Sequence, residues 1–243
     1  MREDWEKILE EAKTLALRGK WKEAREKYSS LLEKGGDIPG VFSGLGELEL
    51  RANHPRKAEE YFREEKTRRS YPRLHQLLSI SLIQQGKWKE AEEELHSSLS
   101  LDPEDFRPYV LLGYIYLERG EVQKAKGWLE MAREGGESSF PLYLYLAETC
   151  HLLGEREEVE KLLPRIRSRY SEMKELFPSW LRDALECEIR FLEGKFGEAR
   201  KLWDNLKKAS FPTFPVYFAG LLFSPERFRK ILTRITPDEN TSF

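Results

Sequence analysis

The side chains that could carry out chemistry in this chain are few and widely separated. Its four histidines are His54, His75, His96 and His151. No two of them lie three or four residues apart, the spacing that places two metal ligands on one face of a helix. Cys150 and Cys187 are far apart and form no metal or redox motif, so we interpret them as small core residues. The sequence therefore predicts no metal site and no cofactor.

Carboxylates and glycines also lack the arrangement of a catalytic centre. Glu92, Glu93 and Glu94 follow one another beside Lys89, on a stretch predicted to face water. Acid–base catalysis needs carboxylates whose surroundings shift their proton affinity, and a solvated helix face does not provide this. The glycines come singly or in pairs where helices end, whereas a phosphate-binding loop needs several glycines before a helix. We predict that the chain has no enzymatic activity of its own.

Basic residues form three clusters, but the overall charge does not favour nucleic acid. The formal net charge is -2, so no global field attracts nucleic acid or an anionic membrane. The clusters are Lys66 to Arg69 with Arg73; Arg165, Arg167 and Arg169; and Arg227, Arg229, Lys230 and Arg234. Phe223 and Phe228 flank the last cluster and would permit base stacking. Since acidic residues are interleaved along the rest of the chain, solvated helix faces explain the clusters more simply.

The remaining bulk features indicate a cytoplasmic protein with no membrane insertion. The N-terminal residues show no apolar signal-peptide core, and the longest apolar run, residues 110–117, is too short to span a bilayer. Charged residues make up 35% of the chain, and asparagine occurs only at Asn53, Asn205 and Asn240. Such a composition is typical of heat-stable proteins, in which ion-pair networks gain value as temperature rises. We expect a melting temperature above about 65 °C by circular dichroism, beyond most mesophilic domains.

A repeat with a period near 34 residues organises the chain. The segment Gly-Lys-Trp-Lys-Glu-Ala occurs at residues 19–24 and again at 86–91. A glycine, once an asparagine, recurs at Gly19, Asn53, Gly86, Gly120, Gly154 and Gly194. Five residues after each lies a small apolar residue, at Ala24, Ala58, Ala91, Ala125, Val159 and Ala199. Two markers that keep one period over six repeats predict a helical repeat array, in which the first marker ends one helix and the second lets the next helix approach closely.

The residues after the second copy of that segment carry a family resemblance. Leu101-Asp102-Pro103 is followed by Tyr109, Leu112 and Gly113, and then by Tyr116, Gly120 and Ala125. This pattern resembles the tetratricopeptide repeat, a helix–turn–helix of about 34 residues. The resemblance implies an all-α, right-handed superhelical solenoid of about six such repeats, forming one domain over residues 1–243. We place the repeats at residues 4–36, 37–71, 72–104, 105–138, 139–171 and 172–211, with a short C-terminal capping helix pair at 212–236.

Three stretches depart from the regular pattern. Pro164 lies inside a predicted helix and should kink or end it. The step from Gly154 to Gly194 is longer than the others, and we place the extra residues at 170–178 as a longer loop or an added turn. Near the C-terminus we predict one short helix over residues 214–223. Ser224 followed by Pro225 then predicts the N-cap of a second helix, reaching about Ile235.

In the tetratricopeptide repeat family the first helices line a concave groove that holds a peptide or helix of a partner protein. By their phase against the packing residues, we place these in the groove: Ser43, Glu47, Leu50, Gln76, Ile80, Ile83, Val110, Tyr114, Leu117, Leu144, Glu148 and His151. Ile80, Ile83, Val110, Tyr114 and Leu117 would form a water-facing apolar patch, which typically marks an interaction site. Alternatively, the phase is displaced by one position and several of these residues belong to the core.

Three functions remain open at this point. The first is a non-catalytic adaptor that binds a peptide or amphipathic helix of a partner protein. The second is a chaperone for an exported or assembly-prone apolar protein, and the third is a nucleic-acid-associated protein. A chaperone-tail clamp is not favoured, because the corresponding stretches carry Leu9 and Lys13, then Gly44, then Arg73 and Leu77, and so lack that subclass's fork of donors. The aromatic residues near Phe211, Phe214 and Phe218 could either cap the array or pair two chains, so the oligomeric state stays open.

Overall fold

The computed structural model describes residues 2–33, 37–206, 216–218 and 221–228. Twelve α-helices longer than one turn lie in these ranges. The helices are α1 Arg2–Leu17, α2 Trp21–Glu33, α3 Val41–Arg51, α4 Pro55–Arg68, α5 Pro72–Gln84, α6 Trp88–Leu101, α7 Arg107–Glu118, α8 Val122–Glu134, α9 Phe140–Leu152, α10 Arg156–Met173, α11 Ser179–Leu192 and α12 Phe196–Leu206. Two strands follow, β1 Val216–Phe218 and β2 Leu221–Phe223. No helix in the described ranges is both long and apolar enough to cross a membrane.

The helices pack in consecutive pairs, α1 with α2 through α11 with α12, which confirms the helical repeat fold. All six turn positions predicted from the sequence have a left-handed backbone, with φ between 61° at Asn53 and 77° at Gly154. In the first turn, Gly19 N–H donates to Ala16 O and Lys20 N–H to Leu15 O, which satisfies carbonyls at the end of α1. Glycine adopts this conformation without a side-chain penalty, and asparagine is the next best tolerated residue.

Small residues allow the two helices of a pair to approach closely. The six marker residues of the second helices, from Ala24 to Ala199, are at most 3% exposed. On the first helices the same role falls to glycine. A Cβ atom at Gly46 would lie 2.4 Å from Phe62 Cε1, and one at Gly113 would lie 2.5 Å from Leu129 Cγ. The small residues that mark the period thus lie where the two helices of a pair pack closely. Cys150 and Cys187 are also fully buried core residues, as predicted.

The chain divides into two compact units, residues 1–103 and 104–243. The first unit contains α1 to α6, and part of its core is formed by Leu9, Ala12, Tyr28, Leu31 and Leu45. The second unit contains α7 to α12 and the two strands. The assignment of residues 1–243 to a single domain stays a prediction.

Helix α10 continues through Pro164, so of the two outcomes predicted for this proline, a kink or an end of the helix, the end does not occur. The residues beyond it are anchored: Ile166 is fully buried, and Tyr170 lies against Phe140 and donates its hydroxyl to Arg182 O at 2.9 Å. These contacts offset the backbone hydrogen bond that proline cannot make. The extra residues of this repeat lengthen α10 to Met173 and add a 3-10 turn at Lys174–Leu176, which confirms their predicted place.

Residues near the C-terminus form a hairpin where a helix was predicted over 214–223. Strands β1 and β2 pair antiparallel, with Val216 opposite Phe223 and Phe218 opposite Leu221. Valine and aromatic residues favour extended backbone, and the second strand makes main-chain contacts described below. The Ser224 N-cap is confirmed, since Ser224 Oγ accepts from Arg227 N–H at 3.2 Å and residues 225–228 are helical. Phe211, Phe214 and the predicted continuation to Ile235 lie outside the described residues.

Candidate functional site

Most residues predicted to line an open groove are buried. The ten that are at most 6% exposed are Ser43, Leu50, Gln76, Ile80, Ile83, Val110, Tyr114, Leu117, Leu144 and Glu148. Glu47 and His151 are partly exposed. This burial corrects the prediction that Ile80, Ile83, Val110, Tyr114 and Leu117 form a water-facing patch. Whether any of the twelve contacts a partner stays a prediction.

In the first unit, the polar members of this set are satisfied by neighbouring helices and by their own backbone. The Gln76 amide donates to Ser98 Oγ on α6 at 3.1 Å, and Ser98 in turn donates to Pro72 O at 3.1 Å. Ser43 donates to Gly40 O at 3.2 Å. Here the alternative interpretation holds, in which these positions belong to the core.

In the second unit, the chain itself covers three of the predicted groove residues, Tyr114, Leu144 and Glu148. The covering part is the C-terminal segment, which we define as residues 216–218 and 221–228. Strand β2 packs on α9, and Leu144 and Glu148 line one enclosed space together with Leu221, Leu222 and Arg227. The structure therefore brings Tyr114, Leu144 and Glu148 together, beneath residues far along the chain.

Arg227 is the centre of this contact, and its side chain is only 12% exposed. Its Nε donates to Glu148 Oε2 at 2.8 Å, and its Nη1 donates to Glu118 Oε1. Ser224 Oγ donates to the other Glu118 oxygen at 3.1 Å, which ties the helix cap to the same carboxylate. Charge-assisted hydrogen bonds of this kind are about twice as strong as neutral ones. Although burial alone would lower it, the charges of Glu148 and Glu118 raise the pKa of Arg227 well above its usual range.

Two tyrosines lie against the guanidinium of Arg227. Its Cζ atom is 4.8 Å from the ring centroid of Tyr114 and 5.5 Å from that of Tyr145, and the two rings are 5.2 Å apart. Aromatic faces attract a cation, most strongly when water is excluded. The Tyr145 hydroxyl also donates to Leu222 O at 2.6 Å and accepts from Leu222 N–H at 3.0 Å. One tyrosine thus holds both the side chain and the main chain of the C-terminal segment.

Glu188 on α11 completes the group. It is 2% exposed and hydrogen-bonds to Glu148. Burial, together with the charge of Glu148, raises the pKa of Glu188 well above its usual range. We call Tyr114, Glu118, Tyr145, Glu148 and Glu188 the acidic–aromatic pocket.

None of the four histidines is among the residues of the acidic–aromatic pocket. His151 packs edge-on against Phe191 at 4.8 Å and lines a separate surface cavity of about 320 Å³. His75 is buried, with its Nδ1 2.6 Å from Glu94 Oε2 and its Nε2 2.8 Å from Ser70 Oγ. Within the described part of the chain, no three His, Cys, Asp or Glu residues come together as a metal site would require.

Sequence reasoning assigned Glu148 and Tyr114 to the groove and Tyr145 to its edge, but missed Glu118 and Glu188 as members of the same site. One signal was available. Glu148 is the one charged residue in Phe140–Cys150, so its burial requires a cation. Nothing in the local pattern indicates that Arg227, 79 positions away, supplies it.

Comparisons with known proteins agree with this architecture. The family model for the tetratricopeptide repeat matches residues 82–138. The chain is similar to the solved structure of Pseudomonas aeruginosa pilF, with 16% identity, a TM-score of 0.63, and 85% of this chain and 92% of that chain covered. A tetratricopeptide repeat protein from Parabacteroides merdae has 16% identity and a TM-score of 0.59, with 96% and 99% covered.

A third similar structure is YrrB, described as a TPR protein with an unusual peptide-binding site. It has 17% identity and a TM-score of 0.51, with 65% of this chain and 82% of that chain covered. At such identities these likenesses indicate a shared fold. No curated protein matches the chain.

Proposed function

Since this chain is a tetratricopeptide repeat protein, we propose that it is a non-catalytic adaptor that binds a segment of a partner protein at its acidic–aromatic pocket. Repeats of this family form scaffolds for protein–protein interaction. The pocket lies on α7, α9 and α11, the first helices of three consecutive pairs.

One observation carries the proposal: a segment of polypeptide already lies in the pocket. The C-terminal segment is held through its main chain, by Tyr145 at Leu222, and through a side chain, by Glu118 and Glu148 at Arg227. Strand-like and helical segments are the two common forms in which peptides are recognised, and this segment contains both in turn. The peptide-binding site described for YrrB is consistent with such a role.

The described residues favour the two rival functions less than the adaptor. The chaperone hypothesis required an open apolar surface, and Ile80, Ile83 and Tyr114 are at most 2% exposed. The nucleic-acid hypothesis required free basic clusters. Arg167 pairs with Glu186 and Glu193, and Arg227 pairs with Glu118 and Glu148, so these two charges are balanced, while Arg229, Lys230 and Arg234 lie outside the described residues.

The test is affinity capture from lysate of the source cells with three full-length baits. These are the wild type, Glu118→Gln/Glu148→Gln, and the control Glu157→Gln/Glu160→Gln, which removes the same charge from exposed positions of α10. We expect one protein to be retained by the wild type and the control and lost with the pocket variant. Its purified form should then bind the wild type directly in calorimetry. Identical recovery with all three baits would place the function on another surface.

A further inference from the structure

We propose that the acidic–aromatic pocket recognises an arginine in the first helical turn of a partner segment, flanked by aromatic residues, and that the C-terminal segment occupies this site in competition with the partner. This inference rests on the proposed function and specifies the partner's chemistry. The occupant to which we commit is a protein segment with the pattern Phe-x-x-x-Arg-Phe, as in Phe223 to Phe228 of this chain.

The pocket selects arginine over other side chains for a geometric reason. Its acceptors are two carboxylates, Glu118 and Glu148. They accept from different nitrogens of the guanidinium, which lies over the two tyrosine rings. A planar group with several donors satisfies both carboxylates and stacks on the rings, whereas lysine offers a compact charge. A neutral side chain would leave both carboxylates buried and unpaired, at the cost of several kcal/mol.

The flanking aromatic residues extend the recognition on both sides of Arg227. Phe223 and Phe228 are 3% and 2% exposed, and their rings lie 5.4 Å apart. Phe223 contacts Trp180 on α11 at 6.0 Å, and Phe228 contacts Trp203 on α12 at 5.7 Å. Aromatic side chains and arginine are the residues that most often dominate binding energy at protein interfaces.

The C-terminal segment does not satisfy every polar atom of the pocket. Two side-chain atoms of the pocket, Tyr114 Oη and Glu188 Oε1, are buried and have no hydrogen-bond partner among the described residues. A buried polar atom without a partner lowers the stability of the complex that buries it. A partner segment that places an acceptor at Tyr114 or a donor at Glu188 would bind better than the internal one, which relies on its tether for a high effective concentration.

Competition has a measurable consequence. While the C-terminal segment is bound, a partner finds only the fraction of molecules whose pocket is open, and its apparent affinity falls by that fraction. Changes confined to the C-terminal segment should therefore strengthen binding of a peptide supplied in trans. Changes in the pocket should weaken it.

The experiment uses a fluorescent peptide with the sequence of residues 216–228 and follows its anisotropy. The receptors are the full-length wild type and the full-length Leu222→Pro/Arg227→Ala variant. This variant removes the Leu222 N–H and the guanidinium but leaves every pocket residue in place. We expect the variant to bind the peptide at least about tenfold more tightly than the wild type. A peptide with citrulline, the neutral isostere, in place of arginine should bind that receptor at least about tenfold more weakly.

Three results would overturn the proposal. One is equal affinity for the arginine and citrulline peptides. Another is no binding by a variant whose circular dichroism matches the wild type. The third is dimerisation of the wild type by exchange of its C-terminal segments, seen in sedimentation, which would make a second copy the occupant. The two proposals can fail separately. A partner captured from lysate that binds without an arginine would refute this inference alone. If the peptide binds as expected but no partner is captured, only the adaptor function is refuted.

Discussion

Polar groups buried on α5 of the first unit and on α7 and α9 of the second unit find their partners in different ways. On α5 these groups include neutral serines, which find acceptors nearby: Ser79 donates to Gln76 O, and Ser81 to Leu78 O. On α7 and α9 of the second unit they are the carboxylates Glu118 and Glu148, and their cation comes from Arg227. The first arrangement is complete within one helix pair. The second is complete only when a distant segment supplies positive charge, which is what a binding surface requires.

The largest effect expected from this difference is that of removing the guanidinium. Arg227→Ala leaves two buried carboxylates without a cation, which costs about 3–5 kcal/mol if the segment stays in place. We expect the segment to detach, so that the Leu222 amide exchanges its hydrogen as an open chain does. Gln76→Ala, the matched change in the first unit, should cost about 1–2 kcal/mol and leave that amide protected. Hydrogen exchange read by mass spectrometry separates the two outcomes, and unchanged protection in Arg227→Ala would refute the comparison.

Helix pairing, in contrast, should be equivalent in both units. Gly46→Ala and Gly113→Ala each place a methyl group within 2.6 Å of a packed side chain, Phe62 or Leu129. Both should lower the free energy of unfolding by about 1–3 kcal/mol. Gly127→Ala, where a Cβ meets nothing within 4 Å, should instead stabilise α8 by about 0.5–1 kcal/mol. Urea unfolding checks the three variants, and clearly unequal costs at Gly46 and Gly113 would show that the pairing differs.

Glu59 of the first unit and Glu188 of the second unit should contribute pH dependences of opposite sign to the stability. In the first unit, burial alone would raise the pKa of Glu59, but the hydrogen bonds from Lys87 and Arg63 outweigh burial and lower this pKa. The contribution of Glu59 to stability is therefore present above its unfolded pKa and lost on acidification. In the second, burial raises the pKa of Glu188, so that its contribution is complete at acid pH and is lost as pH rises through the folded pKa.

The Glu188→Gln variant isolates that contribution. It keeps a donor toward Glu148 and removes the titration, so its stability relative to the wild type should increase as pH rises above about 5, because the ordinary pKa of glutamate is near 4.3. Thermal unfolding at several pH values measures the difference between the two proteins. A difference that does not change with pH would show that Glu188 is not held as a neutral acid.

Exposed ion pairs should show the smallest effect. The Arg156 and Glu160 side chains are 87% and 61% exposed and pair at 3.1 Å across one helical turn. Arg156→Ala should change the free energy of unfolding by less than about 0.5 kcal/mol, and added salt should abolish the change. An effect comparable to that of Gly113→Ala would mean that surface charge, rather than packing, sets the stability of the second unit.

The sequence alone determined the repeat and the residue types at its turns and close helix contacts. The left-handed turns and the small residues behind them depend on the local backbone and on the neighbouring helix, so a fixed period reveals them without knowledge of the remainder. This is why the turn at Asn53 and the buried Ala58 were both predicted correctly. Glu148 was also placed on the correct helix, because its phase follows from the same period.

Only the tertiary structure decided what covers those helices. The contact between Arg227 and Glu118 joins residues 109 positions apart, and the hydrogen bond between Tyr145 and Leu222 spans 77. No local periodicity encodes such a pairing, because it depends on where the chain returns after α12. For the same reason a strand replaced the predicted helix at Leu221–Phe223: its main chain is fixed by a tyrosine of a distant helix, which adds to the preference of valine and aromatic residues for extended backbone.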